Sequence, residues 1–277
     1  MTSNLYPPSR PQTVGEILDT AFRIFRATLL KCLPLATLSL LAGQLPNIYN
    51  LLKGGSLQQR LASHDAVWWL LEVVGYVVAL TLWSAIVRRQ YAMAGDQPSP
   101  PEGELASALR LVPGLFAVSL LLGLAVLVCL VPAAIFAGNP VALVAAIVIL
   151  LIPASYVAIR LSCAVTAYLL TDRGVSASLG HSWDLTAGSF WRLSAVYSVA
   201  LVLMIVFYVL AGAIAAVIAV PFALGDVAMI TAVTAAVVVI LGSIGTPFYT
   251  ALSLAVFGDL SVRKEGTDLA ARISPPT

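Results

Sequence analysis

The chain has 277 residues, of which 60 % are hydrophobic and 10 % are charged, and its formal net charge is +2. Soluble domains carry charge on about a quarter of their residues, so this composition excludes an ordinary soluble globular protein. The small net charge says little about partners. We expect the lipid bilayer as the surrounding medium and no nucleic-acid partner.

Six apolar stretches are each long enough to cross a bilayer, because about 20 helical residues span roughly 30 Å of hydrocarbon. They lie at about 27–46, 66–88, 113–137, 141–170, 193–224 and 227–257. The residues GNP at 138–140 indicate a tight turn between the third and fourth stretches. The predicted fold class is therefore an all-α membrane protein with six transmembrane helices.

The positions of Lys and Arg predict the orientation of these spans. If the N-terminus is cytoplasmic, thirteen of the fifteen basic residues lie inside or at inner span ends, and only Lys53 and Arg60 lie outside. This asymmetry follows the positive-inside rule and places both termini in the cytoplasm. The first 26 residues include a charged amphipathic segment where a signal peptide would be apolar, so we expect the first span to direct insertion.

Amphipathic segments precede the first, third and fifth spans. They are TVGEILDTAFRIFRAT at 13–28, SPPEGELASALRLVPG at 99–114 and GVSASLGHSWDLTAGSFWRL at 174–193. Thr13 and Glu16 have the spacing of a capping box, and Pro113 is expected to bend the chain toward the membrane. We predict three helical hairpins, each preceded by a cytoplasmic interfacial amphipathic helix.

This pattern is consistent with three parallel repeat units within a single membrane domain spanning residues 1–277. The units would cover 13–95, 99–172 and 175–258. Amphipathic linkers without internal repetition are the alternative explanation.

Ionisable groups and prolines inside spans are the first candidates for an intramembrane site. Arg160 lies near the inner headgroups, where snorkelling explains it as well as a site does. Glu72 lies near the outer end of its span, where access to water is the alternative. Pro153 and Pro247 interrupt apolar runs, as in many transporters, although such breaks are also frequent in ordinary membrane helices.

No catalytic motif stands out in the sequence. The two histidines are predicted to lie on opposite sides of the bilayer, and the spans contain neither a metalloprotease motif nor paired carboxylates. We therefore expect a protein that is not an enzyme and that uses no cofactor or metal.

The last span is followed by the charged sequence FGDLSVRKEGTDLAARI at 257–273. Retention by basic residues would need only positive charge, yet this segment also carries acids. We predict that the cytoplasmic tail, residues 259–277, docks against the interfacial helices as a clasp. The predicted clasp residues are Arg23, Arg26, Arg192, Asp259, Arg263, Glu265 and Asp268. A solvated stop-transfer segment is the alternative.

Three stretches together resemble the glycerophosphoryl diester phosphodiesterase membrane domain family. They are RPQTVGEILDTAFRIFR at 10–26, AVTAYLLTDRGVSASLGHSWDLTAGSFWRL at 164–193 and FGDLSVRKEGTDL at 257–269. The resemblance implies a six-span helical domain in a bacterial or archaeal cytoplasmic membrane. Some members of that family are fused to a metal-dependent phosphodiesterase domain, whose carboxylates and histidines have no counterpart here.

The expected function is a non-catalytic inner-membrane module that organises or recruits a membrane or cytoplasmic protein partner in lipid or envelope metabolism. The alternative is a transporter or lipid-handling permease with a site among the proline-interrupted spans.

Overall fold

The computed structural model describes residues 5–53, 65–95, 104–136, 138–223 and 227–266. These residues contain helices, turns and bends but no strand, which confirms the all-α class. The helices are α1 (Val14–Gly43), α2 (Leu45–Lys53), α3 (Ala66–Ala94), α4 (Glu104–Leu130), α5 (Pro140–Arg160), α6 (Ala164–Leu170), α7 (Val175–Thr186), α8 (Phe190–Ala223) and α9 (Val227–Glu265). A short 3-10 helix, Val131–Phe136, follows α4.

Within the described ranges, six helical stretches are long and apolar enough to cross a membrane. They are Val14–Gly43, Ala66–Ala94, Glu104–Phe136, Pro140–Leu170, Phe190–Ile214 and Val239–Glu265. This result supports the prediction of a multi-pass membrane protein with six spans. The length of each stretch matches or exceeds the roughly 30 Å hydrocarbon thickness of a bilayer.

Helix α1 joins the first amphipathic segment to the first apolar stretch without a break. Its start carries the predicted capping box, in which the backbone N–H of Thr13 donates to Glu16 Oε2 at 2.7 Å and the N–H of Glu16 donates to Thr13 Oγ1 at 3.4 Å. No proline or glycine occurs between Glu16 and Lys31, so nothing interrupts helix propagation there. Residue 27 is therefore not a helix boundary.

Other helix bounds also differ from the predicted spans. Pro113 lies inside α4 rather than at its start. The fourth apolar stretch is divided by a turn between α5 and α6. Helix α9 continues past residue 257 as far as Glu265. Residues 258–262 of this extension, including Leu260 and Val262, are buried, whereas Arg263, Lys264 and Glu265 are exposed. Helix α9 thus includes the first part of the charged segment that was predicted to dock against the interfacial helices.

The chain divides into two compact units. One contains Met1–Ala21, Pro113–Tyr197 and Leu252–Thr277, and the other contains Phe22–Val112 and Ser198–Ala251. The boundaries fall within α1, α4, α8 and α9, so each of these helices contributes residues to both units.

In the second unit, α1 and α3 approach each other closely. The hydroxyl of Ser39 donates to the carbonyl oxygen of Ala79 at 3.1 Å, and a Cβ added at Gly75 would overlap the carbonyl oxygen of Ala42. A small buried apolar cluster belongs to the same unit and contains Cys32, Leu35, Ala36, Leu82, Ala85, Ile86 and Ala108. The missing side chain at Gly75 permits backbone contact between the two helices.

Asp65 joins the end of α2 to the start of α3. Its Oδ1 caps α3 by accepting from the backbone N–H of Trp68 at 2.9 Å, and its Oδ2 accepts from Tyr49 Oη and Lys53 Nζ, both at 2.8 Å. These hydrogen bonds, led by that from Lys53, lower the pKa of Asp65 to about 2. The carboxylate therefore stays ionised as a helix cap throughout the neutral pH range.

Candidate functional site

A buried carboxylate lies near the end of α9 in the first unit. The side chain of Asp259 is 1 % exposed, and its neighbours along the helix include the fully buried Leu260. Burying an ionised carboxylate costs several kcal/mol unless charged or hydrogen-bonding partners compensate for the lost water. The partners of Asp259 therefore decide whether this arrangement is stable.

Three segments of the chain supply those partners. Arg192, at the start of α8, places Nη1 2.6 Å from Asp259 Oδ2. Arg263, one turn further along α9, places Nε 3.1 Å from Oδ2 and 3.2 Å from Oδ1. The backbone N–H of Gln12 donates to Oδ1 at 2.6 Å. We call Gln12, Arg192, Asp259 and Arg263 the Asp259 cluster.

Gln12 completes the cluster through its backbone carbonyl as well as its N–H. The carbonyl oxygen accepts from Arg192 Nη1 at 3.3 Å and from Arg263 Nη2 at 2.5 Å, and the side-chain Nε2 donates to Thr20 Oγ1 at 2.8 Å. The cluster thus fixes the segment before α1 against α8 and α9. Sequence reasoning missed Gln12, and no sequence signal marks it, because its contacts to the charged residues use backbone atoms that almost every residue possesses.

A more exposed group of charges surrounds Glu265. Its Oε1 lies 3.7 Å from Arg173 Nη2 and 3.5 Å from His181 Nε2. Since the Glu265 and Arg173 side chains are 37 % and 42 % exposed, water screens their attraction strongly. Glu265, predicted to contact the interfacial helices, is thus bound to the segment around α7.

The imidazole of His181 is buried within this group. Its side chain is 8 % exposed, and its ring lies edge-on to Phe257 with 6.3 Å between ring centres. Burial lowers the pKa of His181 below its ordinary 6.5, and the positive charge of Arg173 lowers it further, while Glu265 and Asp184 oppose the shift. The imidazole is therefore neutral at pH 7.

The remaining predicted clasp residues are distributed differently. Arg23 and Arg26 belong to the second unit, where both are exposed on α1. Asp268 lies outside the described residues. Of the seven predicted residues, the structure therefore brings Arg192, Asp259 and Arg263 into one cluster.

Among the predicted intramembrane positions, Glu72 and Pro153 are exposed on α3 and α5, whereas Pro247 is buried in α9. The Pro247 carbonyl accepts from Gln90 Nε2 at 2.9 Å and from Thr250 Oγ1 at 3.1 Å. Proline has no backbone N–H to donate, but the carbonyl oxygen of Pro247 accepts these two hydrogen bonds.

Gln90 itself was missed by the sequence analysis. It is fully buried and also donates through Nε2 to Thr28 Oγ1 at 3.2 Å, while its Oε1 is buried without a hydrogen-bond partner. The only sequence signal is an uncharged polar residue in the run RRQY at a span end, where a solvated side chain is the ordinary interpretation.

Arg160 is buried rather than exposed to solvent. It ends α5 and is 7 % exposed as a residue, so the snorkelling interpretation lacks the solvent access that it requires. Its guanidinium lies over the ring of Trp183 at 4.3 Å from the ring centre.

The second unit also contains an apolar cavity of about 240 Å³ between segments of α1, α8 and α9. Its walls contain Phe22, Phe25, Leu203, Met204, Phe207, Ile244, Gly245 and Phe248. Such a lining suits hydrocarbon and offers no charged group to a polar solute.

The chemistry available to the Asp259 cluster is limited by its own hydrogen bonds. Two guanidinium groups and one backbone N–H occupy the carboxylate oxygens, so Asp259 serves as a structural acceptor with no oxygen left free for a substrate. Among the described residues, no group of three or more His, Cys, Asp or Glu side chains could hold a metal ion.

The fold and this cluster together define a multi-pass, all-α membrane protein with a buried ionic network in one of its two units. No protein-family model, no curated protein and no solved structure matches the chain. The resemblance to the glycerophosphoryl diester phosphodiesterase membrane domain family therefore stays a prediction from the three sequence stretches.

Proposed function

We propose that this chain is a non-catalytic membrane module that recruits a partner protein at the end that contains the Asp259 cluster. The observation that supports the proposal is the network of Asp259 with Gln12, Arg192 and Arg263, which fixes three chain segments. A rigid end of this kind can present exposed charges in a constant arrangement. Preorganisation of this sort lowers the entropic cost of binding.

The exposed charges around the cluster provide the recognition surface in this proposal. Arg10 and Glu16 form an ion pair at 2.6 Å with side chains that are 73 % and 39 % exposed, and Arg173 and Lys264 are also exposed. Charges of both signs favour a protein partner of complementary charge over a purely anionic surface. We place this partner among the enzymes of lipid or envelope metabolism.

The proposed topology has three hairpins with interfacial helices and both termini in the cytoplasm of a bacterial or archaeal cell. The distribution of Lys and Arg supports this orientation. The separate helix α7 and the exposed aromatic Trp191 also support an interfacial segment before α8, since Trp is enriched at membrane interfaces. Reporter fusions at each predicted loop would test the orientation, and an external C-terminus would overturn it.

Charge reversal tests the recruiting function directly. Membranes with wild-type protein, Arg173→Glu or Lys264→Glu are cross-linked, and the proteins recovered are compared by quantitative mass spectrometry. We expect a partner that is lost from both variants but retained by Arg110→Glu, an equal charge reversal on the exposed part of α4. Folded variants that recover the same proteins as wild type would contradict the proposal.

A second candidate function is lipid handling, and the apolar cavity of the second unit favours it. Gly245 lies in the cavity wall, and a Cβ there would meet Met204 Cε at 3.0 Å and Tyr208 Oη at 3.1 Å. A larger side chain at this position would therefore narrow the cavity.

Transport of a fluorescent phospholipid in proteoliposomes distinguishes the two functions. Lipid handling predicts transport by the wild-type protein and a loss of transport in Gly245→Leu. Gly123→Leu serves as the control, because Gly123 does not line the cavity and a Cβ there would meet nothing within 4 Å. Absence of transport by the wild-type protein would remove this second candidate.

A further inference from the structure

Among the residues that the structure describes, Arg160 is held by hydrogen bonds to its backbone carbonyl and not by an ion pair. Its carbonyl oxygen accepts from Ser182 Oγ and Thr186 Oγ1, both at 3.0 Å, and Ser182 Oγ accepts from the backbone N–H of Cys163 at 3.2 Å. These bonds attach the last residue of α5 to α7. They orient the side chain without using any of its guanidinium donors.

Two aromatic rings flank the guanidinium. Its central carbon lies 4.3 Å from the ring centre of Trp183 and 6.0 Å from that of Tyr156, both within cation–π range. The two rings also contact each other edge-on, with their centres 6.3 Å apart. Tyr156 and Trp183 together form an aromatic wall beside the charge.

The guanidinium of Arg160 lacks an anionic partner among the described residues. Its Nε is buried without a hydrogen-bond partner, and no carboxylate in the described ranges forms an ion pair with it. A buried charge with an unpaired donor is unfavourable, and cation–π contact compensates for it only in part. The planar donors of Arg match the oxygens of a phosphate or carboxylate.

The surroundings indicate which anion is available. Trp183 is 40 % exposed, Tyr156 is 42 % exposed and Trp191 is 83 % exposed. Aromatic side chains exposed beside an apolar helix are typical of the headgroup level of a membrane. At that depth the abundant anion is a phospholipid phosphate, and its acyl chains can lie against the exposed apolar residues of α5, such as Ile152.

We propose that Arg160, together with Trp183 and Tyr156, forms a binding site for the phosphate group of an anionic phospholipid. The guanidinium donates to the phosphate oxygens, and the aromatic wall shields this contact from water. Free inorganic phosphate offers the same oxygens without acyl chains. The site goes beyond the recruiting function and does not depend on it.

Binding to the purified protein in a non-ionic detergent tests this site. Native mass spectrometry measures binding of phosphatidylglycerol, with diacylglycerol and inorganic phosphate as separate probes. Loss of one charged contact should weaken phosphatidylglycerol binding by about tenfold or more in Arg160→Gln. Arg110→Gln, which removes an exposed arginine, should bind like wild type, and diacylglycerol should not compete.

Wild-type affinity in folded Arg160→Gln, or an equal loss in Arg110→Gln, would overturn the proposal. Inorganic phosphate that binds as tightly as phosphatidylglycerol would overturn the assignment to lipid. If Arg160→Gln does not fold, Trp183→Leu provides the test, because it removes one ring of the aromatic wall and keeps the charge. Unchanged phosphatidylglycerol affinity in Trp183→Leu would then contradict the site.

Discussion

Asp259 Oδ2 lies 2.6 Å from Arg192 Nη1, and the aspartate side chain is 1 % exposed. These residues lie at the end of α9 and the start of α8, so one short ion pair joins two membrane-length helices. The attraction is effective because little water reaches the carboxylate. Substitutions at Asp259 and its arginine partners therefore test the predicted clasp directly.

Asp259→Asn should destabilise the protein strongly, because it leaves Arg192 and Arg263 facing a neutral side chain. Breaking a buried pair by changing one partner costs about 3–5 kcal/mol in the free energy of unfolding. Unfolding in mixed detergent micelles measures the loss. Glu72→Gln, an exposed carboxylate on α3, is the matched control and should stay within about 0.5 kcal/mol of wild type. Equal stability of the two variants would contradict the structural role of Asp259.

Charge-reversal variants should show that the Asp259 cluster contributes more to the free energy of unfolding than the outer charges around Glu265 do. Arg263→Glu places a second negative charge beside Asp259, so we expect a loss of roughly 1–3 kcal/mol. Glu265→Lys changes a side chain that is 37 % exposed and pairs with Arg173 at 3.7 Å, so the loss should be below about 1 kcal/mol. The same unfolding measurement ranks the two variants. A larger effect at Glu265 would place the clasp in the outer group of charges.

His181 should make stability depend on pH. Its folded pKa lies below 6.5, so the unfolded state binds the proton first as the pH falls. Its contribution is fully present above about pH 6.5 and declines below that value as the pH approaches the folded pKa. Thermal unfolding midpoints between pH 7.5 and 5 should therefore fall less steeply in His181→Gln than in wild type. Equal slopes in His181→Gln and wild type would contradict this role of His181.

Gly75→Ala should test the close approach of α1 and α3. The new methyl group would overlap the backbone carbonyl of Ala42, which cannot move aside as a side chain can. We expect a loss of about 1–3 kcal/mol from overpacking. Gly123→Ala adds the same methyl group where nothing lies within 4 Å, and it should be neutral or stabilising by up to about 1 kcal/mol. Matching unfolding curves for the two variants would contradict this packing.

Gln90 should tolerate an apolar side chain of similar length better than a truncation. Gln90→Met removes a buried Oε1 that has no partner, while Thr28 keeps its bond to the Ile24 carbonyl and the Pro247 carbonyl keeps its bond from Thr250. Gln90→Ala leaves a cavity as well and should cost about 2–5 kcal/mol. Gln90→Met should cost less than about 1.5 kcal/mol. Thermal unfolding compares the two, and a greater loss in Gln90→Met would show that the polar contacts dominate.

Helix ends show where prediction from the sequence succeeded and where it did not. The capping box of Thr13 and Glu16 forms as predicted, because its hydrogen bonds connect residues three apart in the chain. The sixth apolar stretch was predicted to end at about 257, where the charged segment begins, whereas α9 continues to Glu265. Partners from α8 and the segment before α1 satisfy Asp259, and they allow the helix to continue into the charged segment.

The sequence by itself determined that this is a helical membrane protein with six spans. Hydropathy and helix length accumulate residue by residue along the chain, so local composition is sufficient for that conclusion. Only the tertiary structure decided which polar residues meet. Asp259 binds the backbone of Gln12 across 247 positions, Gln90 reaches Pro247 across 157, and Arg160 lies against the ring of Trp183. Such contacts depend on how distant helices pack, and no local pattern in the chain encodes that packing.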